Sequence, residues 1–271
     1  VNPEQRAHSI LEGLDAEQRE VALAVGGPVR VLAGAGTGKT RAITHRIAYS
    51  VVTEASEAER TLALTFTNRA AGEMRHRLLG LGAPGAQVRT FHAAALRQLR
   101  FFWPQLSRTA FPELMSSKAS IVARSLAHCK VDSDKALLRD VSGDIEWCKA
   151  NMMDSALIHK AKRDFAIDVA TLAKVMDSYE TLKKDRNLLD FDDILMLMSA
   201  AIRTRPDIQS AVHSAYRWFT VDEFQDVNPL QKSVLDLWIG ERDDICVVGD
   251  PSQTIYSFTG ASSKYLTNFV K

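Results

Sequence analysis

Residues Ala33-Gly34-Ala35-Gly36-Thr37-Gly38-Lys39-Thr40 put three glycines, a lysine and two hydroxyls into eight positions. Small residues let a backbone wrap closely, so that its N–H groups converge on phosphate oxygens at the positive end of a following helix. Lys39 would neutralise the β- and γ-phosphates there, and the Thr40 hydroxyl would ligate Mg²⁺. Ala33 stands where the strict G-x-x-x-x-G-K-[ST] pattern begins with glycine, a small-for-small exchange. The competing reading is a glycine-rich strand-to-helix turn with no ligand. Such a loop needs a second element, a strand ending in carboxylates. Phe219-Thr220-Val221-Asp222-Glu223 supplies one. Asp222 would reach the metal through water, and Glu223 would polarise an attacking water. Taken alone, the acidic pair could be a solvated strand end. Together with the loop it points to an ATPase using ATP and Mg²⁺.

These residues need strands to carry them. Val29–Ala33 reads as a short buried strand running into the loop, with a helix from Lys39. Thr61–Phe66 and Gln87–Phe91 read as further strands, followed by helices over Asn68–Leu79 and through Arg100. Upstream, Asp15 with Gln18 three residues on has the spacing of a capped helix start, and Gly26-Gly27-Pro28 ends that helix. Alternating strands and helices predict an α/β fold with a parallel sheet. From about residue 104 to 188 strand-like runs vanish and helices are expected over Lys118–Lys130, Asp144–Asn151, Ser155–Arg163 and Val169–Arg186. Strand patterns return at Trp218–Asp222 and Asp244–Asp250. The expected organisation is a parallel α/β sheet, residues 1–103 and 189–271, split by an all-helical subdomain over 104–188. The 183 residues between Lys39 and Asp222 are long for one compact nucleotide core, which supports the insert.

Composition adds exclusions. The 271 residues are 46% hydrophobic and 25% charged, with 34 Lys+Arg against 33 Asp+Glu for a net charge of +1. Nucleic-acid binding must then rely on a local patch rather than an overall positive field. Cys129, Cys148 and Cys246 are far apart and form no CxxC pair, so a zinc site or disulfide framework is disfavoured and a reducing cytoplasm fits best. No apolar run approaches the roughly 20 residues that span a bilayer. Val1 at the start and Phe269-Val270-Lys271 at the end read as the edges of a piece of a longer chain.

Downstream, Phe224-Gln225-Asp226 follows the acidic pair, and Val248-Gly249-Asp250-Pro251-Ser252-Gln253-Thr254-Ile255-Tyr256 comes after it. With these the sequence resembles superfamily 1 DNA helicases of the UvrD/Rep/PcrA type, which implies that the α/β sheet is a RecA-like P-loop NTPase motor domain split by the helical subdomain. The likeness extends through Leu14–Arg19, Thr65–Met74, Thr90-Phe91-His92 and Leu189–Ile194, in the family's order. The resemblance implies that Gln18 reads the adenine edge, that Arg41 also touches the nucleotide, and that Ala33 to Thr40 cradle it. It implies that Gln253 senses the γ-phosphate and that Glu223 is the catalytic base. On the nucleic-acid side it assigns Phe66, Phe191, Tyr256 and Phe258 to pockets for unstacked bases, in keeping with the sequence-tolerant stacking that aromatics provide. Thr65, Asn68, Thr90 and His92 would bind phosphate or sugar. Phe258 stands where the family has Trp, and Thr259 where it commonly has Arg.

Plainer readings compete. Phe66 and Phe191 could be core residues, and His92 a satisfied interior histidine. Arg69/Arg75/Arg77, Lys160/Lys162/Arg163 and Lys183/Lys184/Arg186 could be solvated helix faces or DNA tracks. Asp192-Asp193 could mimic a metal pair, though helix capping is the better account. The function expected from the resemblance is ATP-driven movement on single-stranded DNA and unwinding at duplex junctions, 3′→5′, with repair or replication proteins as unidentified partners. The family's second motor domain, with its arginine fingers, is missing from the sequence, so poor hydrolysis is expected of this piece. A non-catalytic DNA-binding or scaffold subunit is the main rival. Intact Lys39, Thr40, Asp222, Glu223 and Gln253 weigh against it. A P-loop kinase or GTPase leaves Gln253-Thr254-Ile255-Tyr256 unexplained.

Overall fold

The computed structural model describes residues 2–34, 36–255 and 260–269. Helices α1 (Pro3–Leu11) and α2 (Ala16–Leu23) open the chain, separated by Gly13 at φ +71°. Asp15 and Gln18 form the expected capping box at the start of α2. Strand β1 (Val29–Leu32) then leads to α3 (Lys39–Val52), β2 (Thr61–Thr65) to α4 (Asn68–Gly80), and β3 (Gln87–Thr90) to α5 (Phe91–Leu106). Next come the two-residue strand β4 (Glu113–Leu114), α6 (Ala119–His128), α7 (Lys135–Ala150), α8 (Val169–Asp185) and the equally short β5 (Leu188–Leu189). The chain continues through α9 (Phe191–Thr204), α10 (Pro206–Ala215), β6 (Trp218–Val221), α11 (Pro229–Ile239), β7 (Ile245–Gly249) and α12 (Lys264–Thr267).

The main sheet is parallel throughout, with strand order β1-β7-β6-β2-β3. Every residue of β2 and β7 is buried, as expected for parallel strands covered on both faces. Side chains alternate between the faces. Leu62, Leu64, Phe219, Val221, Ile245 and Val247 join one core with residues of α5, α9, α10 and α11. Ala63, Val88, Cys246 and Val248 join another with Ile43, Ile47, Met74 and Leu78 of α3 and α4. A third core, including Ile121, Val141, Ile145, Leu172 and Tyr179, belongs to α6–α8. Each fully buried Leu or Ile contributes about 1.5–3 kcal/mol to such cores.

Three local expectations are corrected. Ser155–Arg163 contains only a single 3₁₀ turn, Ile158–Lys160. The Asp154 carboxylate accepts from the N–H groups of Ala156 and Leu157, offering the backbone an alternative to helix, and the segment is too short to nucleate one by itself. The helix expected at Asp144 starts at Lys135, where Asp134 caps it. Residues 104–188 are not free of strand, because Glu113-Leu114 pair with Leu188-Leu189 in a parallel ribbon across the mouth of the helical segment. Among the described residues, no helix is long and apolar enough to cross a membrane.

Candidate functional site

The loop after β1 is built around glycine. Gly36 and Gly38 have φ of +75° and +78°, a backbone region that side-chain-bearing residues rarely adopt. A Cβ on Gly38 would also strike the Gln18 amide. The Thr37 hydroxyl donates to the Gly34 carbonyl at 2.9 Å and closes the turn. Gly38 is the N-cap of α3 and supplies no side-chain partner, so the first amides of that helix stay open to an anion. Ala35 lies outside the described residues.

Helix α2 borders this loop. Its capping box fixes Gln18, whose amide donates to the Thr37 carbonyl at 3.0 Å. Arg41, one turn into α3, donates to the Gly13 carbonyl at 2.8 Å. Gln18 and Arg41 thus brace the loop from both sides of the α1–α2 turn.

Across the sheet, β6 delivers the carboxylates. The Asp222 amide donates to the Leu64 carbonyl and extends the ladder by one residue. Glu223 then adopts φ +51°, which turns its side chain away from that of Asp222. Sequence separation vanishes here. Thr40 Oγ1 is 3.5 Å from Asp222 Oδ2, and Lys39 Nζ is 3.4 Å from Glu223 Oε2. Burial, and then the charge of Glu223, push the Asp222 carboxyl up to about 6. A buried carboxylate beside a second anion is short of positive charge. With the Thr40 hydroxyl it offers the hard oxygen donors that Mg²⁺ prefers, so these residues fit the metal.

Gln225 was not among the expected site residues. Its amide nitrogen donates to Glu223 Oε2 at 2.8 Å, and its carbonyl oxygen accepts from the Asp250 amide at 3.1 Å. Gly249 makes room for it, since a Cβ there would collide with the Gln225 oxygen. Gln253 sits in the next turn, its amide donating to the Asp250 carbonyl. The Gln between two acidic residues was the available sequence clue.

The nucleic-acid candidates divide. Phe66, His92 and Phe191 line one cavity of about 390 Å³, together with Lys118, Asp226 and Gln231. Phe191 is 54% exposed and is not a core residue. Phe66 is half-buried and packs against Phe91, with ring centroids 5.9 Å apart. The His92 ring meets Phe191 edge-on at 5.8 Å, and its Nε2 is buried with no hydrogen-bond partner. Burial pushes this imidazole down to about 4, so at neutral pH it is uncharged. Two hydroxyls also serve the fold. Thr65 is buried and donates to the Thr67 carbonyl, and Thr90 caps α5 by accepting from the Ala93 amide. Asn68 is exposed in the first turn of α4. Tyr256 and Phe258, and the Thr259 departure, lie outside the described residues.

Behind Phe191 lies a charge network that sequence reading missed. Lys149 of α7 and Lys183 of α8, 4% and 2% exposed, both reach Asp190 and Asp193 at the start of α9. The Tyr179 hydroxyl donates to Asp190 at 2.9 Å, and Glu180 joins at the rim. Lys183 is therefore neither a solvated face nor a DNA track. Asp190, Asp193 and Glu180 lie close enough for a metal, yet two ammonium groups already serve them. Asp193 does cap α9, in a box with Asp190, whereas Asp192 faces the cavity. Burial and the Asp190 charge push the Asp192 carboxyl up to about 6.

A family model described as the UvrD/REP helicase N-terminal domain matches residues 14–271. The chain is similar to the ATP-dependent DNA helicase UvrD2 of Mycobacterium tuberculosis, with 47% identity across 96% of this chain and 39% of the relative. It is similar also to the ATP-dependent DNA helicase PcrA of Leuconostoc citreum, at 33% identity across 97% of this chain and 36% of the relative. The ATP-dependent DNA helicase UvrD1 of Mycobacterium tuberculosis is 32% identical over the same shares, 97% and 36%. This chain spans well under half the length of each.

Proposed function

The chain belongs to the UvrD/REP helicase N-terminal domain family, and from that premise we propose that it is the ATP-binding part of a DNA helicase. The protein would move 3′→5′ on single-stranded DNA and open duplex junctions, in a reducing cytoplasm that keeps its three free cysteines as thiols. The observation that carries this reading is the cluster Lys39, Thr40, Asp222 and Glu223, brought within hydrogen-bond range at the carboxyl ends of β1 and β6. We take residues 1–103 and 189–271 as one motor domain and 104–188 as its helical insert.

Bound MgATP supplies the γ-phosphoryl group whose hydrolysis drives the cycle. Thr40 and Asp222 would hold the metal, and the loop amides with Lys39 the phosphates. The Gln18 amide and the Arg41 guanidinium border the same loop, where an adenine edge can meet them. Glu223 accepts the proton of the attacking water at a carboxylate oxygen. Gln225 holds that carboxylate from the other side and so fixes its aim. Gln253 follows β7, its amide donating to the Asp250 carbonyl, and would sense the nucleotide. Phe66 and Phe191 offer ring faces for unstacked bases, worth about 1–3 kcal/mol each, and neutral His92 offers a hydrogen bond beside them. An arginine finger supplied by a second motor domain is worth about 10³–10⁵ in rate. This part alone should therefore bind nucleotide and hydrolyse it poorly.

The deciding experiment measures ATPase activity of the full-length protein with and without single-stranded DNA. Stimulation that is lost in Glu223→Gln is expected. Absence of stimulation, or stimulation that survives the substitution, would overturn the proposal.

A further inference from the structure

Strand β3 forms the sheet edge farthest from β1 and its phosphate loop. Three arginines gather on it from three elements. Arg75 of α4 donates to the Val88 carbonyl at 2.9 Å, which pins its guanidinium on the open side of the strand. Arg89 is the next residue of β3, and its Nε is buried with no hydrogen-bond partner. Arg97 is exposed on α5. Burial first, and then the charges of Arg97 and Arg75, hold the Arg89 guanidinium below its ordinary value, so Arg89 lies within the fields of both. Among the described residues none of the three is in an ion pair, whereas their neighbour Arg69 is matched with Glu73. Gathering like charges and orphaning an N–H both work against folding. A protein with net charge +1 has little reason to concentrate three cations at one edge unless an anion meets them.

The position says which anion. Arg89 immediately precedes Thr90, and His92 lines the cavity that holds Phe66 and Phe191. From Phe91 to Arg97 the helix rises about 9 Å, or two to three nucleotide steps at about 3.4 Å each. We propose that Arg75, Arg89 and Arg97 form a phosphate-binding site for a nucleic-acid strand that leaves the aromatic cavity over the edge of the sheet, away from the nucleotide loop. This rests on the helicase reading above and extends it. Guanidinium forks suit phosphate because they bind it in a bidentate manner, without regard to base.

The test is fluorescence anisotropy of a labelled oligothymidylate with the full-length protein, titrated across salt concentrations. Arg89→Gln/Arg97→Gln should lower the magnitude of the log–log salt slope by about 1.4, since each lost single-strand phosphate contact removes about 0.7. Affinity near 0.1 M salt should fall roughly tenfold or more. Arg89→Lys/Arg97→Lys should keep most of the slope. The exposed Arg97→Gln alone, which cannot unsettle the fold, should remove about half the effect. Nucleotide affinity and melting temperature serve as folding controls. If wild type binds the strand and the Gln variants keep its slope, the edge site is wrong and the helicase reading stands. If the variants lose affinity for polyglutamate but not for the oligonucleotide, the edge is a protein-docking surface and the proposal is likewise overturned. If wild type does not bind the strand, both readings fall.

Discussion

Replacing Lys183 with methionine would test whether the buried charge network welds the helical segment to α9. The lysine is 2% exposed and reaches Asp193 at 2.6 Å, Asp190 at 3.1 Å and Glu180 at 2.9 Å. The four innermost charges, Lys149, Lys183, Asp190 and Asp193, balance in the native protein. Methionine fills similar volume but leaves two buried carboxylates facing one ammonium. Breaking a buried pair by removing one partner costs about 3–5 kcal/mol, a large share of the roughly 5–15 kcal/mol that holds a typical domain together. Urea denaturation at pH 7, followed by circular dichroism, should show a loss of that size. The double variant Lys183→Met/Asp193→Asn restores neutrality and keeps a capping side chain, so it should recover about half of the loss. The pH dependence has a definite sign. Lys149 and Lys183 hold the Asp190 carboxyl well below its ordinary value. Its contribution is therefore full above about pH 4, the unfolded value, and fades as pH falls towards the folded one. The gap between wild type and Lys183→Met should narrow as pH drops from 7 towards 3. A loss below about 1 kcal/mol at pH 7, or a gap indifferent to pH, would refute the argument.

Three further outcomes are expected. Lys39→Ala should weaken binding of a fluorescent nucleotide about 10- to 100-fold, the equivalent of one or more charge-assisted hydrogen bonds, and unchanged affinity would contradict the phosphate assignment. Asp222→Asn should stabilise the chain by about 1–3 kcal/mol at pH 7, because the wild-type carboxyl, raised to about 6, is held ionised at a cost above that pH. That gain should shrink between pH 6 and 4, while magnesium-dependent nucleotide binding disappears; a variant no more stable than wild type in thermal melts would speak against the cause given. With the His92 imidazole pushed down to about 4, oligonucleotide affinity should carry no histidine step between pH 6 and 8 that His92→Gln abolishes, and finding such a step would show the residue charged in the complex.

How much of this was legible in the sequence depends on the distance over which each signal acts. The phosphate loop and the Asp15/Gln18 box are local, set by glycine torsions and a three-residue spacing, and both can be read from a few letters. The sheet follows because short apolar runs recur between helices, and β2 and β7 are buried end to end. The lysine network is not local. Lys149 meets Asp190 across 41 residues, and nothing about a lysine in isolation says that it will be buried. The threonines show a role that residue type alone leaves open: the Thr90 hydroxyl at the end of β3 accepts from the Ala93 amide and so caps α5, a use that a strand-end hydroxyl does not announce. Residues 155–163 carry helix-forming letters, and the Asp154 turn overrides them.

The sheet order sets the two halves of the proposed site apart, with the nucleotide residues over β1, β6 and β7 and the cavity beside β2 and β3. The five residues after β6 connect them. Asp222 and Glu223 face Thr40 and Lys39. Gln225 bridges Glu223 to the backbone that follows β7. Asp226 lines the aromatic cavity and also accepts from the Ile255 amide at 3.0 Å, at the end of the turn that holds Gln253. Any shift of Glu223 that accompanies nucleotide binding must therefore be absorbed by Gln225, and Gln225 cannot move without disturbing the Asp250 amide or the neighbouring Asp226. A connection this short needs no long relay through the core. It requires only that the segment 223–226 have two arrangements, and the left-handed torsion of Glu223 at its head is the strained point from which a second one could be reached.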